Sequence, residues 1–176
     1  VRLTVMAKGA GMICPNMATM LSVVLCDAQV EASVWQKMLR DAVELTFNRV
    51  TVDGDTSTND MCIVLANGMA GNTLIEWQDE EYQAFCKALN EVNTRLARQI
   101  AADGEGATKL VTCTVKNSRS EEAAERLAKA VVGSNLVKAA MFGADANWGR
   151  VLCAMGYSKA PFRPEYVSVA FESASG

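Results

Sequence analysis

Short apolar runs alternate with longer amphipathic segments along this 176-residue chain. Runs rich in apolar and β-branched residues predict strands, and apolar positions three or four residues apart predict helices. The predicted strands are 2–7, 19–26, 107–116 and 166–172, with a further apolar run at 61–66. The predicted helices are 33–48, 79–102, 120–132, 135–141 and 147–155. Because long amphipathic helices need a sheet to cover, this order predicts a layered α/β (α+β) fold.

Local signals define several boundaries. Ser33 and Gln36 form a capping-box pattern at the start of the first helix, and Ser120 and Asn147 are suited to cap later helices. The nearly continuous apolar run at 19–26 is typical of a strand buried on both faces. The polar segment 53–60 contains three aspartates, but their spacing is not that of a calcium loop, so we expect turns that support a site rather than a metal site.

Composition excludes several classes of chemistry. The chain has no histidine, so neither a Ser-His-Asp triad nor a histidine–metal site is available within it. The net charge of −3 lacks the excess of basic residues that is typical of nucleic-acid-binding proteins. No apolar run has the roughly 18 residues that span a bilayer. The length predicts about one domain. Six scattered cysteines without a CxxC pair indicate buried thiols in a reducing compartment.

Thr19 is the first candidate for chemistry. It follows a glycine- and proline-containing loop and begins an apolar run. Without a histidine, a threonine hydroxyl can be activated by its own α-amine, once the preceding peptide bond is cleaved. That amine has a pKa of about 7.7–8.0, so it can accept a proton near neutral pH. The alternative is a threonine that simply begins a strand, as β-branched residues often do.

Two further segments contain loop residues of uncertain role. Glu105 lies between two glycines, which allow close backbone approach and present one carboxylate, although termination of the preceding helix would also explain the glycines. Segment 142–150 is a loop that leads into a helix, in which Trp148 is a candidate core residue and Arg150 a candidate surface ion-pair partner.

Four motifs together resemble the ornithine acetyltransferase (glutamate N-acetyltransferase) family. They occur in the family's order and extend over nearly the whole chain. The motifs are 8–21 (KGAGMICPNMATML), 47–60 (FNRVTVDGDTSTND), 103–109 (DGEGATK) and 136–150 (LVKAAMFGADANWGR). Four motifs in order are far more specific than any one of them, so Thr19 becomes the leading candidate nucleophile.

The resemblance implies an activity and a processing event. Family precursors cleave themselves, here between Ala18 and Thr19, which makes 1–18 the tail of an α chain and 19–176 most of a β chain. The new N-terminal Thr19 takes the acetyl group from N2-acetyl-L-ornithine and passes it to L-glutamate through an acetyl-threonine intermediate. Some members also use acetyl-CoA. The reaction belongs to arginine biosynthesis in the cytoplasm.

The resemblance also implies roles and partners. Lys8 and Glu105 correspond to substrate-binding residues, and no cofactor or metal is expected. The implied architecture is an αββα-like stack of sheets flanked by helices, similar to N-terminal-nucleophile enzymes. The implied assembly is a heterotetramer of two α and two β chains. The family's oxyanion hole and its remaining substrate contacts would lie before Val1 and after Gly176.

Two alternative functions remain open at this stage. An N-terminal-nucleophile aminopeptidase or amidase would use the same threonine chemistry with water as the acceptor. A non-catalytic fragment or binding module would use Thr19 only as a strand residue. Product analysis with and without glutamate distinguishes the first alternative, and the intact mass of the chain distinguishes the second.

Overall fold

The computed structural model of the chain describes residues 1–14, 20–77 and 80–173. The chain divides into two compact units, Val1–Ala107 and Thr108–Gly176. Its length had predicted about one domain. Each unit has its own apolar core, and each is described separately below.

The first unit contains a three-stranded sheet. Its strands are β1 (Leu3–Lys8), β2 (Leu21–Cys26) and β3 (Met61–Ala66), in the order β1-β2-β3. Strand β2 is antiparallel to β1 and parallel to β3. The C-terminal end of β1 and the N-terminal ends of β2 and β3 therefore lie at the same end of the sheet.

Two helices cover one face of this sheet. They are α1 (Ala32–Leu45) and α2 (Glu80–Ala102). Alternate residues of β2, including Val24, pack against them, in a core where the rings of Trp35 and Phe85 meet edge to face at 5.1 Å. The opposite face of β2 is partly exposed, with Leu21 45% accessible. The prediction that this strand is buried on both faces is therefore wrong for the described residues, since side chains alternate across a strand and the described helices cover one face.

The first helix begins earlier than its capping-box pattern predicts. Its N-cap is Glu31, whose side chain accepts a hydrogen bond from the backbone N–H of Val34 at 3.1 Å. The hydroxyl of Ser33 donates to the same carboxylate and does not cap the helix itself. The helix ends at Leu45, before the predicted residue 48, because the chain tightens into a 3₁₀ turn at Phe47–Arg49.

The described residues of the second unit form three α-helices, and the two predicted caps are confirmed. They are α3 (Glu121–Gly133), α4 (Asn135–Phe142) and α5 (Trp148–Tyr157). Ser120 accepts a hydrogen bond from the N–H of Ala123, and Asn147 accepts one from the N–H of Arg150. Apolar residues of all three helices form one core, which includes Leu127, Val137, Val151 and Ala154.

The predicted strands at 107–116 and 166–172 do not form; the described residues there have no strand assignment, and a 3₁₀ turn occupies Pro164–Tyr166. Their alternation is real, because Cys113 and Val115 pack on the helical core of this unit, as do Val167 and Val169. Alternation specifies which side chains face a core, but a strand also needs a neighbouring strand for its hydrogen bonds. The described chain supplies none for these segments.

The mixed α/β class is confirmed: the described residues form a sheet and helices that cover it. Helices that are long and apolar enough to cross a membrane are absent from the described ranges.

All six cysteines are free, and their burial varies from Cys26, which is buried, to Cys153, which is exposed. The prediction of buried thiols is therefore wrong for Cys153.

Candidate active site at the β1–β2 connection

The candidate site lies where β1 ends and β2 begins. Lys8, the last residue of β1, is the register partner of Leu21, the first residue of β2. The connection between them is described up to Cys14 and again from Met20. The predicted nucleophile and cleavage site, Ala18 and Thr19, lie outside the described residues.

The polar segment 53–60 holds the described part of this connection in place. The Asp53 carboxylate accepts a hydrogen bond from the N–H of Ile13 at 3.0 Å, and the N–H of Val52 donates to the carbonyl of Ile13 at 2.6 Å. The hydroxyl of Thr56 donates to the carbonyl of Cys14 at 3.0 Å. Three contacts thus fix residues 13 and 14, four residues before Ala18 in the sequence.

The same polar segment also builds its own turns. The N–H of Asp55 donates to the Asp53 carboxylate at 3.0 Å, and the N–H of Asn59 donates to the hydroxyl of Ser57 at 3.2 Å. These are the short-range Asx and Ser/Thr turns expected of such sequences. Within the described ranges, no three acidic, cysteine or histidine side chains come together as a metal site. The predicted turns are present, and their role in supporting a site remains a prediction.

The glycine-rich segment after α2 reaches the same loop. The N–H of Glu105 donates to the carbonyl of Ala10 at 2.9 Å. Gly104 is buried against Val52: a Cβ at Gly104 would lie 2.8 Å from Cγ1 and 2.9 Å from Cγ2 of that side chain. Glycine is required there for close approach, which termination of a helix does not by itself explain. Three of the four motifs therefore meet around residues 10–14.

Lys8 and Glu105 bring a cation and an anion to this loop. Lys8 and Glu105 are both exposed, and in the part of the chain that the structure describes the Lys8 ammonium has neither an ion pair nor a hydrogen bond. The Glu105 carboxylate lies against Gly11, where a Cβ would come within 3.1 Å of Oε2. A substrate with a carboxylate and an ammonium group would find an opposite charge for each.

Sequence reasoning missed Asp60 as a separate feature. Both of its carboxylate oxygens are buried and without a hydrogen-bond partner among the described residues. Burial is the main effect on the pKa of this carboxyl group and raises it, while the nearby backbone amide of Met20 lowers it by less. The sequence feature that could have identified Asp60 was its position as the last polar residue before an apolar run.

The fourth motif lies in the second unit. The Lys109 ammonium donates to the carbonyls of Met141 and Phe142, at 2.5 and 3.1 Å, and the Arg150 guanidinium donates to the carbonyl of Leu136 at 2.8 Å. Trp148 is 63% exposed, so it is not the core residue that its type suggested. Arg150 binds a backbone carbonyl, whereas an ion pair was the candidate role.

A family model described as the ArgJ family matches residues 1–175. "Arginine biosynthesis bifunctional protein ArgJ" from Caldanaerobacter subterraneus is 54% identical over 176 residues, which cover 100% of this chain and 44% of that protein. The protein of the same name from Symbiobacterium thermophilum is 57% identical over 164 residues, which cover 93% of this chain and 41% of the relative.

A solved structure is also similar. The crystal structure of arginine biosynthesis bifunctional protein argJ from Bacillus halodurans matches with a TM-score of 0.81 and 48% identity, over 84% of this chain and 69% of that one. The chain spans less than half the length of the curated relatives it matches. The family match and these identities together show that this chain belongs to the ArgJ family.

Proposed function

We propose that this chain contains the nucleophile and two substrate-binding residues of an acetyltransferase. The enzyme moves an acetyl group from N2-acetyl-L-ornithine to L-glutamate through an acetyl ester on Thr19. Thr19 becomes N-terminal when the chain cleaves itself between Ala18 and Thr19. Membership of a family whose relatives are named bifunctional arginine biosynthesis proteins supports this proposal.

One structural observation supports it most. Three motifs distant in sequence meet on the loop that leads to Ala18 and Thr19, through the Ile13–Asp53, Cys14–Thr56 and Ala10–Glu105 contacts. A loop that two other segments hold in place can present one peptide bond in a fixed position. A strand that merely began at Thr19 would not need this support.

The chemistry follows from the absence of histidine. In the transfer reaction the Thr19 hydroxyl oxygen attacks the acetyl carbonyl carbon, while the Thr19 α-amine accepts the hydroxyl proton. The acetyl C–N bond then breaks, and the amine of ornithine leaves with that proton. The amine of glutamate next attacks the ester carbon, and the proton it loses returns the Thr19 hydroxyl to its starting state.

Lys8 and Glu105 are proposed to bind the substrates. Both acetylornithine and glutamate have a carboxylate that an ammonium group such as that of Lys8 can bind. The free side-chain amine of ornithine is a cation that the Glu105 carboxylate can bind. Acetyl-CoA is a further proposed donor, which would supply the acetyl group without ornithine.

The sheet provides a reason for the two products of cleavage to stay together. Strand β1 belongs to the proposed α-chain tail (1–18) and β2 to the proposed β chain (19–176). These strands pair over six residues, from Leu3↔Cys26 to Lys8↔Leu21. Cleavage between them would leave that ladder intact, which supports association of α and β chains. Their assembly into a heterotetramer in the cytoplasm is part of the same proposal.

Intact-mass spectrometry tests the proposal on a family-length protein with these residues. We expect two chains that separate between Ala18 and Thr19, and after incubation with acetylornithine a gain of one acetyl group on the chain that begins at Thr19. Thr19→Ala should remain uncut and unacetylated. Thr73→Ala, an exposed threonine outside the site, is the matched control and should behave as the unmodified protein does.

The outcomes separate the alternatives. A Thr19→Ala protein that still cleaves at this bond would refute the proposal, and so would an intact, unacetylated chain in an active enzyme. If the acetyl group is released as acetate whether or not glutamate is present, the protein is a hydrolase that uses water as the acceptor. Formation of acetylglutamate only when glutamate is present supports the transferase.

A further inference from the structure

Asp53 connects two segments that are 40 positions apart in the sequence. One oxygen of its carboxylate, Oδ1, accepts hydrogen bonds from the N–H of Asp55 and from the N–H of Ile13, both at 3.0 Å. The bond to Asp55 is a local turn, whereas the bond to Ile13 reaches the loop after β1. Ile13 has no exposed surface, so without Asp53 its N–H would have no acceptor among the described residues.

Three segments of the first unit close into a ring of contacts: 10–13, 52–53 and 104–105. Segment 52–53 bonds the backbone of Ile13 at both its N–H and its carbonyl. The Val52 side chain packs against segment 104–105, which in turn donates a backbone N–H to segment 10–13 at 2.9 Å. Each segment therefore contacts the other two, so a shift of one displaces its neighbours.

This ring affects the spacing of the two proposed substrate-binding residues. Glu105 belongs to the ring, and Lys8 lies two positions before it, at the end of β1, where the strand ladder pairs it with Leu21. Asp53 holds the far end of the loop that follows Lys8, through the N–H of Ile13. The position of Ile13 therefore affects the distance between the Lys8 ammonium and the Glu105 carboxylate.

That distance corresponds to a length in the proposed acetyl donor. N2-acetylornithine has a carboxylate at one end and a side-chain ammonium at the other, for which Lys8 and Glu105 are the proposed partners. N2-acetyl-lysine has the same two charges and one more methylene between them. Enzymes discriminate homologues that differ by one methylene by about 10–200-fold, when the site holds the substrate closely. A site whose two charges are held at a fixed spacing can therefore select the shorter donor.

We propose that Asp53 is a positioning residue that determines donor specificity, by fixing the spacing between Lys8 and Glu105. This inference rests on the proposed function. Asp53 acts through Ile13 and does not itself contact the substrate. Because both of its hydrogen bonds go to one oxygen, the position of an acceptor matters more than a negative charge, and an asparagine supplies an acceptor oxygen at the same place.

Other contacts keep the loop attached when Asp53 is replaced. The N–H of Val52 donates to the carbonyl of Ile13 at 2.6 Å, and the hydroxyl of Thr56 donates to the carbonyl of Cys14 at 3.0 Å. Neither bond involves the Asp53 side chain. Asp53→Ala is therefore expected to fold with a loosened loop, which would change the spacing of the site rather than remove the site.

The test compares kcat/KM for N2-acetylornithine and N2-acetyl-lysine in family-length enzymes, with glutamate as the acceptor. The unmodified enzyme should prefer acetylornithine by about tenfold or more. Asp53→Ala should lower this preference about fivefold or more, whereas Asp53→Asn should keep it within about twofold. Asp55→Ala is the matched control, since Asp55 is exposed and bonds Asp53 only through its backbone N–H, and it should keep the preference of the unmodified enzyme.

A change in preference distinguishes positioning from general loss of structure, which would lower kcat/KM for both donors equally. An unchanged preference in Asp53→Ala would overturn the proposal, and so would an equal fall in Asp53→Asn. If Asp53→Ala does not fold, Asp53→Glu decides, because it moves the acceptor by one methylene and should also lower the preference. Absence of acetyl transfer to glutamate by the unmodified enzyme would instead overturn the proposed function itself.

Discussion

Gly11 lies so close to Glu105 that a Cβ at that position would be 3.1 Å from Oε2 of the carboxylate. The contact joins the loop after β1 to the segment after α2, next to the Ala10–Glu105 backbone hydrogen bond. The absence of a side chain at residue 11 therefore sets where the Glu105 carboxylate is held.

Gly11→Ala is expected to displace the Glu105 side chain without unfolding the protein. The carboxylate is the exposed end of a flexible side chain, so it can move by a few tenths of an ångström at little cost, and the change in unfolding free energy should stay within about 0.5 kcal/mol. Steady-state kinetics should show a several-fold higher KM for acetylornithine with a smaller change in kcat. Gly156→Ala, where a Cβ meets nothing within 4 Å, is the control and should leave KM unchanged. An unchanged KM in Gly11→Ala would argue against a substrate-binding role for Glu105.

Gly104→Ala should destabilise the first unit. The new Cβ would lie 2.8 Å from Cγ1 and 2.9 Å from Cγ2 of Val52, and 3.3 Å from the carbonyl oxygen of Ala101. Overpacking of this kind costs about 1–3 kcal/mol, which thermal or urea unfolding would measure.

The same contact supplies a matched control for Gly104→Ala. Val52→Ala removes both methyl groups that the new Cβ would meet, so the double variant should recover part of the lost stability. A double variant whose loss equals the sum of the two single losses would contradict direct packing of these residues, because residues in contact are not additive.

Lys8→Met should impair substrate use and leave stability nearly unchanged. The Lys8 side chain is exposed and unpaired within the described parts of the chain, so its removal breaks no structural contact. The expected result is a KM for glutamate and acetylornithine raised about tenfold or more, in line with about 1.5–3 kcal/mol for a hydrogen bond to a charged group. Lys87→Met on the exposed side of α2 is the matched control. Equal steady-state constants for the two variants would remove Lys8 from the substrate site.

Asp60→Asn should make the protein more stable near neutral pH. Burial raises the pKa of this carboxyl group above its ordinary value of 3.8, so the folded state binds a proton more tightly than the unfolded state does. Stability is then lost as the pH rises from the unfolded pKa through the higher folded one. The asparagine variant avoids that loss, so its Tm should exceed that of the unmodified protein at pH 7, and the difference should shrink below pH 4. Asp55→Asn should show no such pH-dependent difference, and a Tm difference for Asp60→Asn that did not vary with pH would contradict the raised pKa.

Local sequence patterns predicted the helices well because their information is local. The apolar spacing of 79–102 and 120–132 and the caps at Ser120 and Asn147 depend on neighbours within one or two turns. The cap of α1 was misplaced because Glu31 is an unusual cap that a pattern for serine does not anticipate.

At the candidate site, too, some features were predicted from the sequence and others were seen only in the structure. Glu105 was a candidate from its flanking glycines and Lys8 from motif resemblance, and their roles, like that of Thr19, remain predictions. The turns predicted in segment 53–60 are present, and Asp53 and Thr56 also bind the backbone of residues 13 and 14; support of a catalytic site remains a prediction.

The sequence by itself determined the helices, the absence of imidazole chemistry and the family. Only the tertiary structure decided that the described residues of segments 107–116 and 166–172 form no strand, that Gly104 packs against Val52, and that the Asp60 carboxyl group is buried near Met20. The physical reason is that helix periodicity and caps are satisfied by residues a few positions away, whereas strand pairing, close backbone approach and burial of a carboxylate depend on residues tens of positions distant.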